Sequence, residues 1–511
     1  MANLDGSATR PWWENRWLIA ALIVASAVPL LYPPIPPLVD LLGHMGRYRV
    51  ELDLGHSPWL PLYYGYHWAA IGNLGVDLLV MALGRLIGLE PAVKLIVLAI
   101  PPLTVAGFLW VAREVHGRIP PTAFFAIPFA FGHPFLFGFV NFALSIALAF
   151  LAFGLWLHLG RTNRTRLRAI LFVPISLLVF FCHTYGWGAL GLMCFSAEAV
   201  RQHDRGIGWF KAGIRAALHA SVMALPIVIT LVWRSEAHGG TTGDWFNWKL
   251  KFMWLEMALR DRWRWFDMAS VAVVFLVLVE ALRNRRLSFS RNLAFSALVL
   301  IAGFVVLPRI IFGSAYADMR LVPYMLAVLV LAIRFRGETD RRTGSVLAVA
   351  GLLFCAVRLA SNAVSLGMAS NDQQAKLAAL DHVHQGARVA SLVGLPCSNL
   401  WPLPRNSHLG AMVTVRREGF SNDQWLMEGL NLLELKYTKV GPFASDPSEL
   451  VRPNACPDGL HLTIDRSLAS LPRDGFDYLW LIDTPPHDPA LVSGMQPVWR
   501  GRGSILYRLH P

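Results

Sequence analysis

Gly160-Arg161-Thr162-Asn163-Arg164-Thr165-Arg166-Leu167-Arg168 carries four arginines in nine residues and stands between two long apolar runs, 141–159 and 168–183. Roughly 17 to 25 apolar residues cross about 30 Å of hydrocarbon, so both neighbours read as membrane spans. A short loop rich in arginine between two spans reads as one held on the cytoplasmic side.

The same reading extends in both directions. Further runs at 17–33, 93–112, 119–137, 186–200, 215–233, 266–282, 292–308, 320–334 and 344–361 bring the expected spans to eleven. If the N-terminus with Arg10 and Arg16 is cytoplasmic, the inside loops carry Arg113 and Arg118, then the quoted cluster. Next come Arg201, Arg205, Lys211 and Arg215, then Arg283, Arg285, Arg286 and Arg291, and finally Arg334, Arg336, Arg341 and Arg342. The loops around His133 and His183, on the other side, hold no Lys or Arg. The expected fold is therefore an all-α polytopic membrane protein of about eleven transmembrane helices, N-terminus inside and C-terminus outside. The composition agrees, with 55% hydrophobic residues over 511 positions and a mean hydropathy of +0.46, outside the range of a soluble enzyme. The net charge of +13 is dispersed over separate loops. It suits topology signals and anionic lipid headgroups, and excludes the single basic stripe that nucleic acid requires.

Residues 62–88 are apolar enough to span yet contain His67, Asn73, Asp77 and Arg85. Counting them as a span would put every later arginine cluster outside, so they are expected to form a partly immersed or re-entrant helix of the first external loop. The Ala-rich run after Trp17 continues as a full span without a convincing cleavage site, so the first span is expected to be retained.

After Ser361 the polarity becomes ordinary. The expected organisation is a membrane module over 1–369, with a large external loop at 34–92 and a Trp-rich one at 234–265, followed by a soluble domain at 370–511. Strand-like stretches at Arg388–Val393, Tyr478–Ile482 and Ser504–Leu509 make that domain α/β or α+β, and eleven spans place it outside the cytoplasm. Cys182, Cys194 and Cys355 fall in or near spans, where a thiol packs as a small core residue. Cys397 and Cys456 are the only cysteines of the soluble part, and an external compartment permits a disulfide between them.

The chemistry is expected in the first external loop. Its Pro-rich opening, Tyr32-Pro33-Pro34-Ile35-Pro36-Pro37, ends the first span, and Pro37 suits the first turn of a new helix. Beyond it Leu38, Leu41, Leu42 and Met45 mark one face, and Asp40, His44 and Arg47 the opposite one, which describes an amphipathic helix lying at the membrane surface. Asp40 falls in the first turn, where the helix dipole favours the ionised form a general base needs. A solvated face bearing an ordinary ion pair is the plainer reading of the same spacing. Asp53 and His56 form a second possible acid and base pair, or simply a capped turn. Other polar groups gather at the external ends of spans: His133, Asn141, His183, Tyr185, Arg309, Asp318 and Arg320. Each alone fits a capping or interfacial residue, and together they describe the rim of an outward-opening polar cavity. Trp245, Trp248, Trp254, Trp263 and Trp265 read as an interface belt, and Glu256 with Arg260 as an ordinary helix pair.

One span followed by a long external loop that opens with Pro36-Pro37-Leu38-Val39-Asp40-Leu41-Leu42-Gly43-His44 resembles the C-type, or GT-C, membrane glycosyltransferases. The resemblance covers the plan of the whole chain, while the shared local motif is mainly the early acidic residue. It implies a polyprenyl-phosphate sugar donor, transfer on the external face, and Asp40 as the match for the catalytic carboxylate. His44, Arg47, Arg309 and Arg320 become candidates for contact with the departing phosphate, and Asp53, His56, His133, Asn141, His183, Tyr185 and Asp318 for other substrate contacts. Many members add a second acidic residue in the next external loop, where this chain has His133 and Asn141. No cofactor is therefore expected; a divalent metal is possible, but no second acidic motif supports a paired-carboxylate site. The implied partners are the lipid-linked sugar, a glycan, lipid or protein acceptor, and the bilayer. The scarcity of lysine points to a GC-rich bacterial genome, hence an inner membrane with a periplasmic active side. A lipid-linked saccharide flippase or transporter, or a non-catalytic polysaccharide assembly component, would share the many spans, although no internal repeat of the transporter kind is evident. There is no GxGxxG, P-loop, HExxH or GxSxG to suggest nucleotide binding or hydrolysis.

Overall fold

The computed structural model describes residues 11–232, 241–311, 313–337, 340–426 and 431–510. The last residue of the expected 215–233 span and the opening of the Trp-rich loop lie outside them.

The chain is mostly helical, and a helical segment coincides with each of the eleven expected spans. Among the described residues, five helices are long and apolar enough to cross a membrane: Leu89–His116, Val140–Arg161, Thr165–Cys182, Arg264–Arg283 and the helix that starts at Arg341. A sixth candidate, Trp209–Met223 followed by Leu225–Leu231, is bent by 60°. The other apolar segments are shorter: Arg16–Leu30, Pro121–Phe137, Arg291–Val306 and Met319–Leu331. Val140–Arg161 is buried on almost every side and packs against Leu89–His116, Thr165–Cys182 and Thr184–His203. A helix that is apolar all round belongs at the centre of a bundle.

Several of the arginines read as topology signals are also structural. Arg168 is buried against Glu198 at 2.8 Å, with its guanidinium 3.8 Å from the Trp156 ring centroid. Arg161 pairs with Glu114 at 2.8 Å.

The first external loop departs from its expected form. Leu41–Asp53 is a helix, but it is no interfacial helix with one wet face. Leu41, Leu42, Met45 and Tyr48 are buried, and so are Arg47 and Glu51 on the other side. One face packs on Gly75–Ile87 and Leu89–His116, the other on the C-terminal segments Leu409–Ala411 and Met412–Arg417. Within 62–88 the only long helix is Gly75–Ile87, whose 13 residues span about 20 Å at 1.5 Å each.

The C-terminal part is built on a seven-stranded sheet. Arg388–Gly394 lies at its centre, parallel to Tyr478–Ile482, Leu450–Arg452 and Phe420–Ser421. The hairpin Gln496–Gly501 and Ser504–Arg508 adds antiparallel strands at one edge. The long helix Arg341–Leu377 leads into this sheet without a break at residue 369. Cys397 and Cys456 form a disulfide that ties the loop after Arg388–Gly394 to the one after Leu450–Arg452. A short ribbon, Tyr64–Tyr66 against Leu433–Leu435, hydrogen-bonds the first external loop to the C-terminal part.

Candidate functional site

Asp40 is positioned by backbone. Its N–H donates to Phe137 O at 2.9 Å and its own carbonyl accepts from His44 N at 3.1 Å. Gly138 makes the approach possible: its φ is +102°, and a Cβ there would fall 2.6 Å from Asp40 N. Asp40 is the residue before the Leu41–Asp53 helix, yet its side chain makes no capping hydrogen bond. The carboxylate, 14% exposed, faces His408 instead, with Oδ1 3.9 Å from Nε2. Burial pushes its pKa well above the ordinary carboxylate value, the charge of Asp446 adds to that, and Arg320 opposes both.

Gly43, one turn on, lets the C-terminal part close over this point. A Cβ there would meet the Trp425 ring at 2.5 Å and His408 at 3.3 Å. His44 and His408 lie on the Trp425 ring, with centroids 5.0 and 4.4 Å away. Burial, then the Arg47, His408 and Arg320 charges, push His44 well below its ordinary value. Both effects disfavour an imidazolium at this position.

Arg320 is the expected phosphate group that the fold leaves without an acidic partner. It is 7% exposed, and among the described residues no carboxylate lies within ion-pair distance of it. Its guanidinium sits over the Phe139 and Tyr185 rings at 4.4 and 5.0 Å, with Nη1 3.5 Å from His183 Nε2 and Nη2 3.3 Å from Ser314 Oγ. His183 Nδ1 accepts the Tyr185 N–H at 3.1 Å, so its ring proton belongs on Nε2. Two donors, the guanidinium and that N–H, thus converge where an anion would be complementary.

The other expected contacts are committed elsewhere. Arg47 is held by Asp77 at 2.6 Å and Glu51 at 3.3 Å. Asn141 anchors the same network, donating to Asp77 Oδ2 at 2.8 Å and accepting from Val76 N at 2.5 Å. Asp77 is thus an ion-pair partner of Arg47. Arg309 pairs with Asp244, and Asp318 pairs with the buried Lys251 at 3.1 Å while capping Met319 N. Asp53 pairs with Arg49 and His56 is exposed, so they form no acid and base pair. His133 is buried beside Trp254 and Phe137, with neither ring nitrogen hydrogen-bonded. Arg260 donates to Leu400 O at 2.5 Å and Trp401 O at 2.7 Å rather than to Glu256. Of the tryptophans, Trp254 is buried and the other four are exposed.

Further residues complete the surroundings, of which only Tyr316, beside Asp318 and Arg320, fell in a stretch that the sequence marked. Tyr316 lies against Phe137 and Trp254 at 5.5 and 5.9 Å; burial and then the Asp40 charge raise its pKa. Arg405 reaches back to Pro37 O and to the buried Asp261, fixing the entry to the Asp40 turn. His408, Asp423, Asp446 and Glu449 come from loops of the C-terminal sheet. No spacing in the sequence links them to residue 40; only the run of polar residues at 421–424 was visible.

No protein-family model matches the sequence, and no curated protein matches it by sequence. Among solved structures, ArnT from Cupriavidus metallidurans in the apo state superposes with a TM-score of 0.50 at 13% identity, over 97% of this chain and 98% of that one. The same protein bound to undecaprenyl phosphate gives a TM-score of 0.49, with the same identity and coverage. At that identity the likeness is one of fold, and it extends through both the helical part and the C-terminal sheet. The chain therefore has, over nearly its whole length, the fold of ArnT.

Proposed function

We propose that the protein is a multi-pass membrane glycosyltransferase that moves a sugar from a polyprenyl-phosphate donor to a hydroxyl of a glycan, lipid or protein acceptor. The observation that carries this reading is the juxtaposition of Asp40, whose carboxylate faces His408, with Arg320 and His183, donors that have no carboxylate within ion-pair distance among the described residues. The fold shared with ArnT supports it.

In this reading an acceptor hydroxyl, a poor nucleophile, gives its proton to Asp40 as the oxygen bonds to the anomeric carbon. Charge develops on the sugar as an oxocarbenium-like centre. The bond to the departing lipid phosphate breaks, and Arg320 with the His183 N–H stabilises the oxygen that takes the electron pair. A base and a leaving group on opposite faces of the ring give inversion. Residues 1–369 form the membrane module with eleven spans and an inside N-terminus, 370–511 the external domain, and the active side is the periplasmic face of a bacterial inner membrane.

The test is mass spectrometry of lipid-linked sugars and surface glycans from cells lacking the gene, complemented with wild type or Asp40→Asn at equal membrane abundance. Wild type restores one missing sugar, while the variant loses about 10²- to 10⁴-fold in transfer and lets its prenyl-phosphate donor accumulate. Full restoration by Asp40→Asn overturns the assignment of the base and favours transport or assembly.

A further inference from the structure

His408, Asp446 and Glu449 each offer a ligand atom within 4.8 Å of the others. They arrive from separate parts of the C-terminal sheet, His408 just before the Leu409–Ala411 turn and the two acids just before the strand Leu450–Arg452. Glu449 is fully buried, and neither of its carboxylate oxygens has a hydrogen-bond partner. His408 is 5% exposed with Nδ1 unpartnered. A third carboxylate, Asp423, is equally buried beside them with both oxygens unpartnered. Among the described residues no Lys or Arg lies within ion-pair distance of Asp423, Asp446 or Glu449.

Buried carboxylates facing each other without a cation are costly, and proteins resolve the conflict with a shared proton or a metal ion. Here the group includes an imidazole, and one ligand atom from each of the three residues lies within 4.8 Å of the other two. We propose that His408, Asp446 and Glu449 bind a divalent first-row cation of the Mn²⁺ or Zn²⁺ type, with Asp423 as an outer partner. One nitrogen and two carboxylate oxygens suit those ions. Three protein ligands leave positions open for water or a substrate oxygen.

The site adjoins the proposed base, since His408 Nε2 is 3.9 Å from Asp40 Oδ1. The second acidic group that the first external loops lack is thus supplied by the C-terminal part. On the glycosyltransferase reading, from which this clause alone takes its support, an open position on the ion would face a phosphate oxygen of the donor.

The experiment uses the full chain in lipid nanodiscs, stripped with EDTA and dialysed against MnCl₂ or ZnCl₂. Bound metal is counted by mass spectrometry, and thermal unfolding is followed with and without metal. About one equivalent per chain, with an upward shift of Tm, is the expected result. Glu449→Gln should bind at least tenfold more weakly and lose the shift, yet unfold no earlier than metal-free wild type because a carboxylate repulsion has gone. His408→Gln provides a second variant with both carboxylates intact, and should also weaken binding at least tenfold. Substoichiometric binding of both metals by wild type, or unchanged binding in both variants, overturns the site in favour of a shared proton. A chain that binds metal but transfers no sugar refutes the enzymatic reading and leaves the site standing. A chain that transfers sugar equally well in EDTA and binds no metal does the reverse.

Discussion

Replacing Arg47 by Met tests what holds the Asp40 helix in place. Arg47 is nearly buried, with its side chain 5% exposed, between Asp77 at 2.6 Å and Glu51 at 3.3 Å, both at 2% exposure or less. Removing the cation leaves two carboxyl groups in the interior, and an uncompensated buried charge costs about 3–5 kcal/mol. Two features moderate the loss. Asn141 still donates to Asp77, and Glu51, pushed well up by burial and by the Asp77 charge, takes up a proton readily. The expected cost is therefore near 3 kcal/mol, about a hundredfold in the folded-to-unfolded ratio. Arg47→Met/Asp77→Leu removes both charges and should return to within about 1 kcal/mol of wild type, because a buried ion pair is often replaced by apolar groups at little loss. The implied coupling of about 2 kcal/mol or more is read from a double-mutant cycle of thermal unfolding in nanodiscs of one lipid composition. Additive single and double variants, or a cost below about 1 kcal/mol for Arg47→Met, would refute the view that this network fixes the helix.

Four further outcomes are expected. Arg320→Gln should lower kcat of sugar transfer by about 10²- to 10³-fold, as loss of one preorganised donor to a developing oxyanion does; unchanged kcat removes Arg320 from the leaving-group site. Gly138→Ala should cost at least about 1–2 kcal/mol through its left-handed backbone and displace Asp40, so that transfer falls while membrane abundance holds; Gly188→Ala, which meets open space, is the control. Converting Cys397 and Cys456 to Ser should destabilise the C-terminal part by about 4 kcal/mol on chain-entropy grounds for a separation of 59 residues, seen as earlier unfolding of Trp480 fluorescence. Burial pushes Asp477 up, but the Arg388 hydrogen bonds and charge outweigh it and lower its pKa. A depressed folded pKa gives stability that is present above about pH 4 and lost as pH falls through the folded value, so Asp477→Asn should flatten acid unfolding below about pH 4.

The helical segments were legible because hydrocarbon demands long apolar runs, and a helical segment lies at every such run, although among the described residues only five helices are long and apolar enough to cross a membrane singly. The strands at 388–394, 478–482 and 504–508 were legible for a similar reason, being short β-branched or aromatic runs between turns. Arg320 stood out because ionisable groups are rare near membrane depth, and Asp40 because it opens the helix of the first external loop and matches the early acidic residue of the family it resembles. What the sequence concealed is pairing. Arg47, Arg309, Asp318 and Asp53 have the right chemistry, but partners at Asp77, Asp244, Lys251 and Arg49 absorb it, and three of those partners are distant in the chain. The surface helix was misread because periodicity records two faces and not what covers each. Its polar face, with Arg47 and Glu51, is covered by protein rather than water. His408, Asp446 and Glu449 were invisible as a set because nothing local joins residues about 400 positions downstream to Asp40.

That separation has a consequence for how the molecule is made. A ribosome delivers Asp40 and its helix long before the segments at 405–425 and 433–449 that cover them. Until then Gly43 faces no Trp425, Pro37 O has no Arg405 guanidinium, and the strand at Tyr64–Tyr66 is an unpaired edge. Closing a loop of that length is entropically slow, though each doubling adds only about 0.6 kcal/mol, so the last step of biogenesis is the docking of the C-terminal sheet onto a nearly finished bundle. A chain truncated before residue 405 should insert its helices and leave its first loop open to proteases, because the segments that cover Asp40 and pair with Tyr64–Tyr66 are then missing.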